Sequence, residues 1–369
     1  MRRVRFVALG DSLTEGVGDP VGRAWRGWAA LLADGLTGGI DGTVRAVRAD
    51  RIDGIDGIDR IDGIDGIGKA RETHVMTGTG EMYGTHEVPG IHERSEADES
   101  QQDGGAKETA GTGNSATGVL TGVEFTNLAV SGAQTRDVLE RQLPAGLALR
   151  PDVVSVVVGV NDTLRRTFDI QAVAARLDTV YGAFTEQGAV LLTACLPGPG
   201  GILGLPGALA RPLARRQRAV NSVVHALSER YAAVHLHASE GEWLTDRAMW
   251  SADRLHPGER GHRQLAVRFH ALLTEAGLAT GDGPSPEPES PAPTTSASLW
   301  WLATAGTGWV ARRCTDLLPQ LLVLAADEMR HRARGTSARL DLRTTASVSA
   351  ALASLSTPER RPDAVPGAV

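Results

Sequence analysis

The stretch FVALGDSLTEGVGDP, residues 6–20, passes from an unbroken apolar run into Gly10-Asp11-Ser12. A run apolar at every position, rather than at alternate ones, fits a strand buried on both faces, as in a parallel sheet sandwiched between helices. Ser12 then emerges at the carboxyl end of that strand, the edge where open α/β sheets gather their reacting groups. It is either a nucleophile or a cap on the following turn, since Asp and Ser both cap helices well.

Three further apolar runs repeat the pattern at 123–128, 153–160 and 189–196, and a weaker one lies at 232–237. Helical periodicity fills the intervals at 23–35, 135–149, 170–187 and 209–230, and a last helix follows Pro257 over 258–276. Strands alternating with helices of this length require right-handed crossovers. The expected fold is a three-layer α/β/α sandwich around a central parallel sheet. Polar residues recur at the predicted strand ends: Ser12, Ser131-Gly132, Asn161-Asp162, and the Asp253 and His256 that precede the last helix.

A serine hydroxyl needs a neighbouring base to take its proton during attack, and histidine has suitable basicity near neutral pH. His256 is the candidate base, and Asp253, three residues earlier, can hold its imidazole in one tautomer from the same turn. His262 competes as a base but has no carboxylate three residues before it. Asp11 reads as a loop-holding residue and Asp162 as a helix cap. His235 and His237 alternate on the weak strand; as a metal pair they lack further ligands in the sequence, and no metal or cofactor is expected.

Gly10-Asp11-Ser12-Leu13 resembles the first block of the GDSL, or SGNH, hydrolases. Asn127-Leu128-Ala129-Val130-Ser131-Gly132, Gly159-Val160-Asn161-Asp162 and Asp253-Arg254-Leu255-His256-Pro257 resemble the later blocks, in the same order. The resemblance covers residues 4–39 and 122–277. It implies a flavodoxin-like fold, a Ser12–His256–Asp253 triad, and an oxyanion hole built from the backbone N–H of Ser12, the backbone N–H of Gly132 and the side-chain amide of Asn161. Arg254 stands where the family frequently has glycine, which bears on the local turn.

The remaining segments fall outside that pattern. With 369 residues, 41% hydrophobic, the chain is long enough for a large core. Its net charge of −6 is unevenly placed: residues 41–118 hold 16 acidic against 8 basic side chains, and the remainder is close to neutral. No basic array points to nucleic acid. The Ile-Asp-Gly repeat at 51–68 and the polar stretch beyond it are expected to form a disordered acidic insertion at about 40–121, removable without loss of the core; the repeated carboxylates also raise calcium ligation as an alternative. A Pro/Ser-rich linker is expected at 280–298, an amphipathic helical segment at 299–342 interrupted at Pro319, and a disordered tail at 343–369.

Residues 299–334 are expected to dock on the catalytic domain, to mediate self-association or partner docking, or to meet a membrane surface. Cys195 and Cys314 are too few for a disulfide framework and read as buried apolar fillers. No secretory leader or membrane span is evident, so a cytoplasmic location is expected. Taken together, the sequence predicts an esterase acting on a small-molecule ester through an acyl-enzyme on Ser12. An acyltransferase using the same residues, or a non-catalytic scaffold recruiting partners through its C-terminal helices, are the alternatives.

Overall fold

The computed structural model describes residues 2–22, 24–36, 45–48, 120–291, 294, 296 and 318–356. Its centre is a sheet of β1 (Arg2–Gly10), β4 (Arg45–Arg48), β5 (Leu120–Asn127), β6 (Val153–Val157), β7 (Val190–Cys195) and β8 (Val234–His237), while β2 (Pro20–Val21) and β3 (Ala24–Trp25) pair separately. The order across the sheet is β4-β5-β1-β6-β7-β8 and every pairing is parallel. The chain leaves β1 toward β5 on one side and returns to β6 on the other. The order therefore reverses at β1, and the crevice beyond the ends of β1 and β6 is the place where such sheets bind ligands.

Alternate residues of β1 feed two cores. Val7 and Leu9 face α6 (Ile170–Glu186) and α8 (Gly207–Arg230), whereas Phe6 and Ala8 face α2 (Gly27–Leu36) and α9 (Glu259–Glu275). Helix α6 shows how the sequence produces this. Asp169 caps it by accepting from the N–H groups of Gln171 and Ala172, and Ile170, Val173, Leu177, Val180 and Phe184 recur at helical spacing on its buried stripe. On the opposite layer, Trp28 stacks on Phe269 with ring centroids 4.7 Å apart, clamping α2 to α9.

The expected sandwich and its five strands are present, and three boundary expectations need correction. Residues 45–48, assigned to the acidic insertion, pair with Glu124–Asn127 as the edge strand β4, so removing 45–118 would strip that edge. The run is too short and too charged to announce itself against its surroundings. The first part of the presumed linker is tied down: the backbone N–H groups of Glu289 and Ser290 donate to Glu259, and Glu289 bridges Arg26 and Arg263. Part of the presumed disordered tail is helical. After α10 (Leu318–Ala333), α11 (Ser337–Ser356) packs on α6 and α8, with Val348 and Ala351 joining the core.

Alanine and serine at those positions mimic a low-complexity tail in composition, yet they let a helix approach closely. Within the amphipathic segment, α10 lies against α8 through a buried Arg215–Glu328 pair at 3.0 Å and leaves Leu322, Val323 and Met329 exposed. The Ile-Asp-Gly repeat, the rest of the insertion to 119, residues 297–317 with Cys314, and residues 357–369 lie outside the described residues. Among the described residues no helix is long and apolar enough to cross a membrane.

If α11 belongs to the core, Ala351→Asp introduces an unpaired charge into a fully enclosed seam. Stability is expected to fall by ~3 kcal/mol, read as a lower thermal midpoint. An unchanged midpoint would mean that α11 does not pack there.

Candidate active site

The site is assembled where β1 ends. Gly10 occupies a backbone conformation (φ +152°) in which an added Cβ would meet the Val157 carbonyl oxygen at 2.2 Å, so only glycine allows β1 to run this close to β6. Asp11 then caps the short helix α1 (Ser12–Glu15) by accepting from the Leu13 N–H. The capping role belongs to Asp11, which leaves the Ser12 side chain free for other work.

Ser12 Oγ lies 2.8 Å from His256 Nε2, and His256 Nδ1 lies 2.6 Å from Asp253 Oδ2. Asp253 Oδ1 accepts from the Ser251 hydroxyl at 2.6 Å and from the N–H groups of Leu255 and His256 at 2.8 and 3.0 Å. Burial pushes this carboxyl up, but the adjoining His256 charge and these hydrogen bonds outweigh it and hold Asp253 well below the usual carboxylate range. A permanently ionised acceptor at Nδ1 keeps the ring hydrogen there and turns the Nε2 lone pair toward Ser12. The loop carrying Asp253 and His256 is closed by a bridge between Trp250 and Pro257, and Arg254 within it adopts φ +56°. The position where the related motif favours glycine is therefore a left-handed one.

The other predicted residues divide. Asn161, at the start of α5 (Val160–Leu164), lines the same cleft as Ser12 and His256. Its amide donates to Asp11 Oδ2 at 3.2 Å and to the Ala133 carbonyl at 3.1 Å. Gly132 sits at φ +83° in the loop after β5, beside that carbonyl. The loop is fastened to α1 twice: Asn127 donates to the Thr14 carbonyl, and Glu15 accepts from both the N–H and the hydroxyl of Ser131. Asp162 does not cap its own helix. It accepts from the N–H and hydroxyl of Thr135, fixing the start of α3 (Thr135–Asp137).

His262 is removed from contention as a base. Its Nδ1 accepts from the Trp28 N–H and its Nε2 faces the Val17 carbonyl at 3.1 Å, while burial pulls it down to about 4 and keeps it neutral. Its Nδ1 thus holds α9 to α2 and its Nε2 holds α9 to the segment just beyond α1.

Several contributors were not anticipated. Gln142, in the π-helical turn Val138–Gln142, accepts from the Gly10 N–H at 2.8 Å and donates to the Gly10 carbonyl at 2.9 Å, so a side chain supplies the strand end with its hydrogen bonds. A glutamine on the buried stripe of a predicted helix was the available signal. Trp243 and Trp250, stacked with centroids 5.2 Å apart, form one wall of the cleft together with Leu255. Pro197, Pro199 and Ile202 from the Gly/Pro-rich loop form the facing wall. The cleft encloses about 80 Å³ with a largely apolar lining. A larger cavity of about 360 Å³ opens between α6, α8, α10 and α11, but no serine–histidine pair lines it.

Residues 102–264 match the family described as GDSL-like Lipase/Acylhydrolase, a span that includes Gly132, Asn161, Asp253 and His256 and excludes Ser12. No curated protein matches the chain. Among solved structures, the chain is similar to a variant of the acetyl xylan esterase Axe2 from Geobacillus stearothermophilus at 16% identity and TM-score 0.43, covering 76% of this chain and 97% of that one. It is also similar to a lipase/acylhydrolase from Enterococcus faecalis at 15% identity and TM-score 0.42, covering 76% and 98%. A third is the psychrotrophic esterase EstA from Pseudoalteromonas sp., at 15% identity and TM-score 0.39, covering 74% and 97%.

Two expectations follow from the site. Burial holds the Asp11 carboxyl up at about 7, opposed by the Leu13 N–H and by His256. The folded chain thus binds this proton more tightly than the unfolded chain, whose Asp titrates near ~4. That contribution to stability is intact below about pH 4 and is lost as pH rises toward 7. Thermal melts of the wild type should therefore decline more steeply between these limits than those of Asp11→Asn; parallel profiles would contradict the burial argument. Separately, Arg254→Gly should raise stability by up to ~1 kcal/mol, since the left-handed conformation costs a side-chain-bearing residue roughly 1–2 kcal/mol against ~0.5–1 for the freer unfolded glycine. Denaturant unfolding measures it.

Proposed function

Because the chain carries a GDSL-like lipase/acylhydrolase domain, we propose that it is a serine hydrolase of carboxylic esters working through an acyl-enzyme on Ser12. The observation that carries this reading is the unbroken line from Asp253 through His256 to Ser12, with contacts of 2.6 and 2.8 Å, opening onto an apolar cleft.

His256 Nε2 takes the hydroxyl proton as Ser12 Oγ bonds to the ester carbonyl carbon, and it returns that proton to the departing alcohol oxygen. Water then enters, gives its proton to the same nitrogen and displaces the acyl group as a carboxylic acid, restoring Ser12. Asp253 offsets the imidazolium charge in both halves. The carbonyl oxygen becomes an oxyanion twice, and its donors are the N–H of Ser12, the N–H of Gly132 and the amide of Asn161. Each such donor is worth ~3 kcal/mol at the transition state. Asn161 enters this role by turning one hydrogen from its resting acceptors, Asp11 and Ala133, toward the substrate.

The substrate class follows from the walls. A cleft of this volume between stacked tryptophans and a proline-rich loop accepts a short or medium acyl chain and leaves the alcohol portion, whether sugar or lipid-like, outside. A fluorophosphonate probe should label the wild type and not Ser12→Ala. On p-nitrophenyl esters of increasing chain length, His256→Ala should lose about 10²–10⁴ in kcat/KM, and the wild-type rate should pass through a maximum at short to medium acyl chains. Product analysis with added alcohols separates hydrolysis from acyl transfer. Absence of labelling in the wild type would overturn the proposal.

A further inference from the structure

On the far side of the same sheet, β7 and β8 present a second cluster of reactive side chains. Thr193 pairs with His235 and Cys195 with His237 in the strand register, and residues two apart on a strand share a face. All four therefore lie on one side, where α8 crosses and adds His225. The result is one thiol and three imidazoles whose ligand atoms all lie within 4.8 Å of one another.

Three imidazoles packed edge to face, with centroids 4.8–5.1 Å apart, could persist without an ion if every buried ring nitrogen had a partner. Here Nε2 of His225 and Nε2 of His235 are both buried with no hydrogen-bonding group in reach among the described residues. Native interiors rarely leave such atoms unsatisfied. For His235 the tautomer is constrained by its other side. The Ser228 hydroxyl donates to the Val224 carbonyl at 2.6 Å and its oxygen takes the Thr193 hydroxyl hydrogen at 2.7 Å, so toward His235 Nδ1, at 3.2 and 2.9 Å, both oxygens act as acceptors and the ring hydrogen sits on Nδ1. Nε2 is left with a buried lone pair that has no partner among the described residues. The Cys195 sulfur lies 3.1 Å from the Ser239 hydroxyl and 4.0 Å from His237 Nδ1.

We propose that Cys195, His225, His235 and His237 form a structural binding site for one divalent transition-metal ion of the zinc class. One thiolate and three imidazoles match the borderline-soft preference of zinc, and four protein ligands fill a tetrahedral shell with no position open for catalysis. Tetrahedral zinc, at ~2.1 Å from nitrogen and ~2.3 Å from sulfur, places its donors about 3.3–3.8 Å apart. Rotamer adjustment of the exposed His237 draws the set in. Thr193 and Ser228 orient His235 from behind, as outer groups do in metal sites.

The site has a structural consequence for the cleft. Leu196 and Ala238 directly follow two of the ligands and line the cleft that holds Ser12, while Asn221 of α8 brackets the Leu196 N–H and carbonyl at 3.1 and 2.8 Å. The ion fixes β7, β8 and α8 to one another beneath that wall. The sequence alone offered only His235 and His237, because His225 and Cys195 join them only through the fold.

The test uses the untagged full chain, stripped with a chelator and titrated with Co²⁺. One equivalent should bind and produce a thiolate-to-cobalt charge-transfer band with the intense visible bands of a tetrahedral ion, both displaced by one equivalent of Zn²⁺. Cys195→Ser should abolish the charge-transfer band. His225→Ala and His237→Ala should each weaken binding roughly tenfold or more, and Zn²⁺ should raise the thermal midpoint of the wild type and of Ser12→Ala but not that of Cys195→Ser. Ser12→Ala should bind cobalt as the wild type does, which separates this site from the ester chemistry. His237 is exposed, so its replacement keeps the test open if a buried variant fails to fold. Weak binding at several sites without the charge-transfer band, or the same band in Cys195→Ser, would overturn the proposal.

Discussion

The 2.8 Å contact between Ser12 Oγ and His256 Nε2 joins residues 244 positions apart, and much of the structure around it can be understood as what keeps that distance short. Ser12 inherits its place from β1, whose last residue is held by Gln142 on one side and paired with Val157 on the other. His256 inherits its place from α9, which follows directly. The two are brought into register by α2: Trp28 stacks on Phe269, its N–H reaches His262, and His262 in turn faces the Val17 carbonyl just beyond α1. A set of ions surrounds this junction, with Arg26 between Asp19, Glu259 and Glu289, and Arg263 between Glu259 and Glu289. Buried polar networks of this kind rigidify when complete and are costly when broken, so the junction tolerates little slack.

The same junction makes the neighbourhood electrostatically uneven. Asp253 keeps its charge because it is surrounded by donors and faces His256. Asp11 has fewer donors and lies near the carboxylate of Asp162, so burial prevails and the carboxyl titrates near neutrality. Two aspartates that both feel the His256 charge thus differ in their own charge at the same pH. Only Asp253, hydrogen-bonded to His256 Nδ1, is held as a fixed anion.

What the sequence disclosed follows from what each feature depends on. Strands buried on both faces write themselves as continuous apolar runs, and loops at their ends carry their polar residues in short, readable blocks; hence Ser12, Asn161, Asp253 and His256 were identifiable before any coordinates. Gln142 and Glu15 act only through partners supplied by distant segments, Gly10 and Ser131, and local spacing does not encode them. The same reason hid Cys195 and His225 from His235 and His237. Helix α11 was misread because alanine and serine say little about burial until a facing helix defines the groove, and β4 because four residues cannot establish a period. Arg254 was legible as a departure from a motif, and its positive φ explains why glycine suits that position.

Helix α11 also has a meaning for biosynthesis. Val348 and Ala351 complete a core whose other members lie between residues 7 and 227, so the layer over β6 and β7 stays uncovered while more than a hundred residues are still being made. During that interval the nascent chain shows the ribosome's surroundings an oily groove on α6 and α8. Vectorial synthesis therefore leaves that surface in water until α11 emerges and covers it.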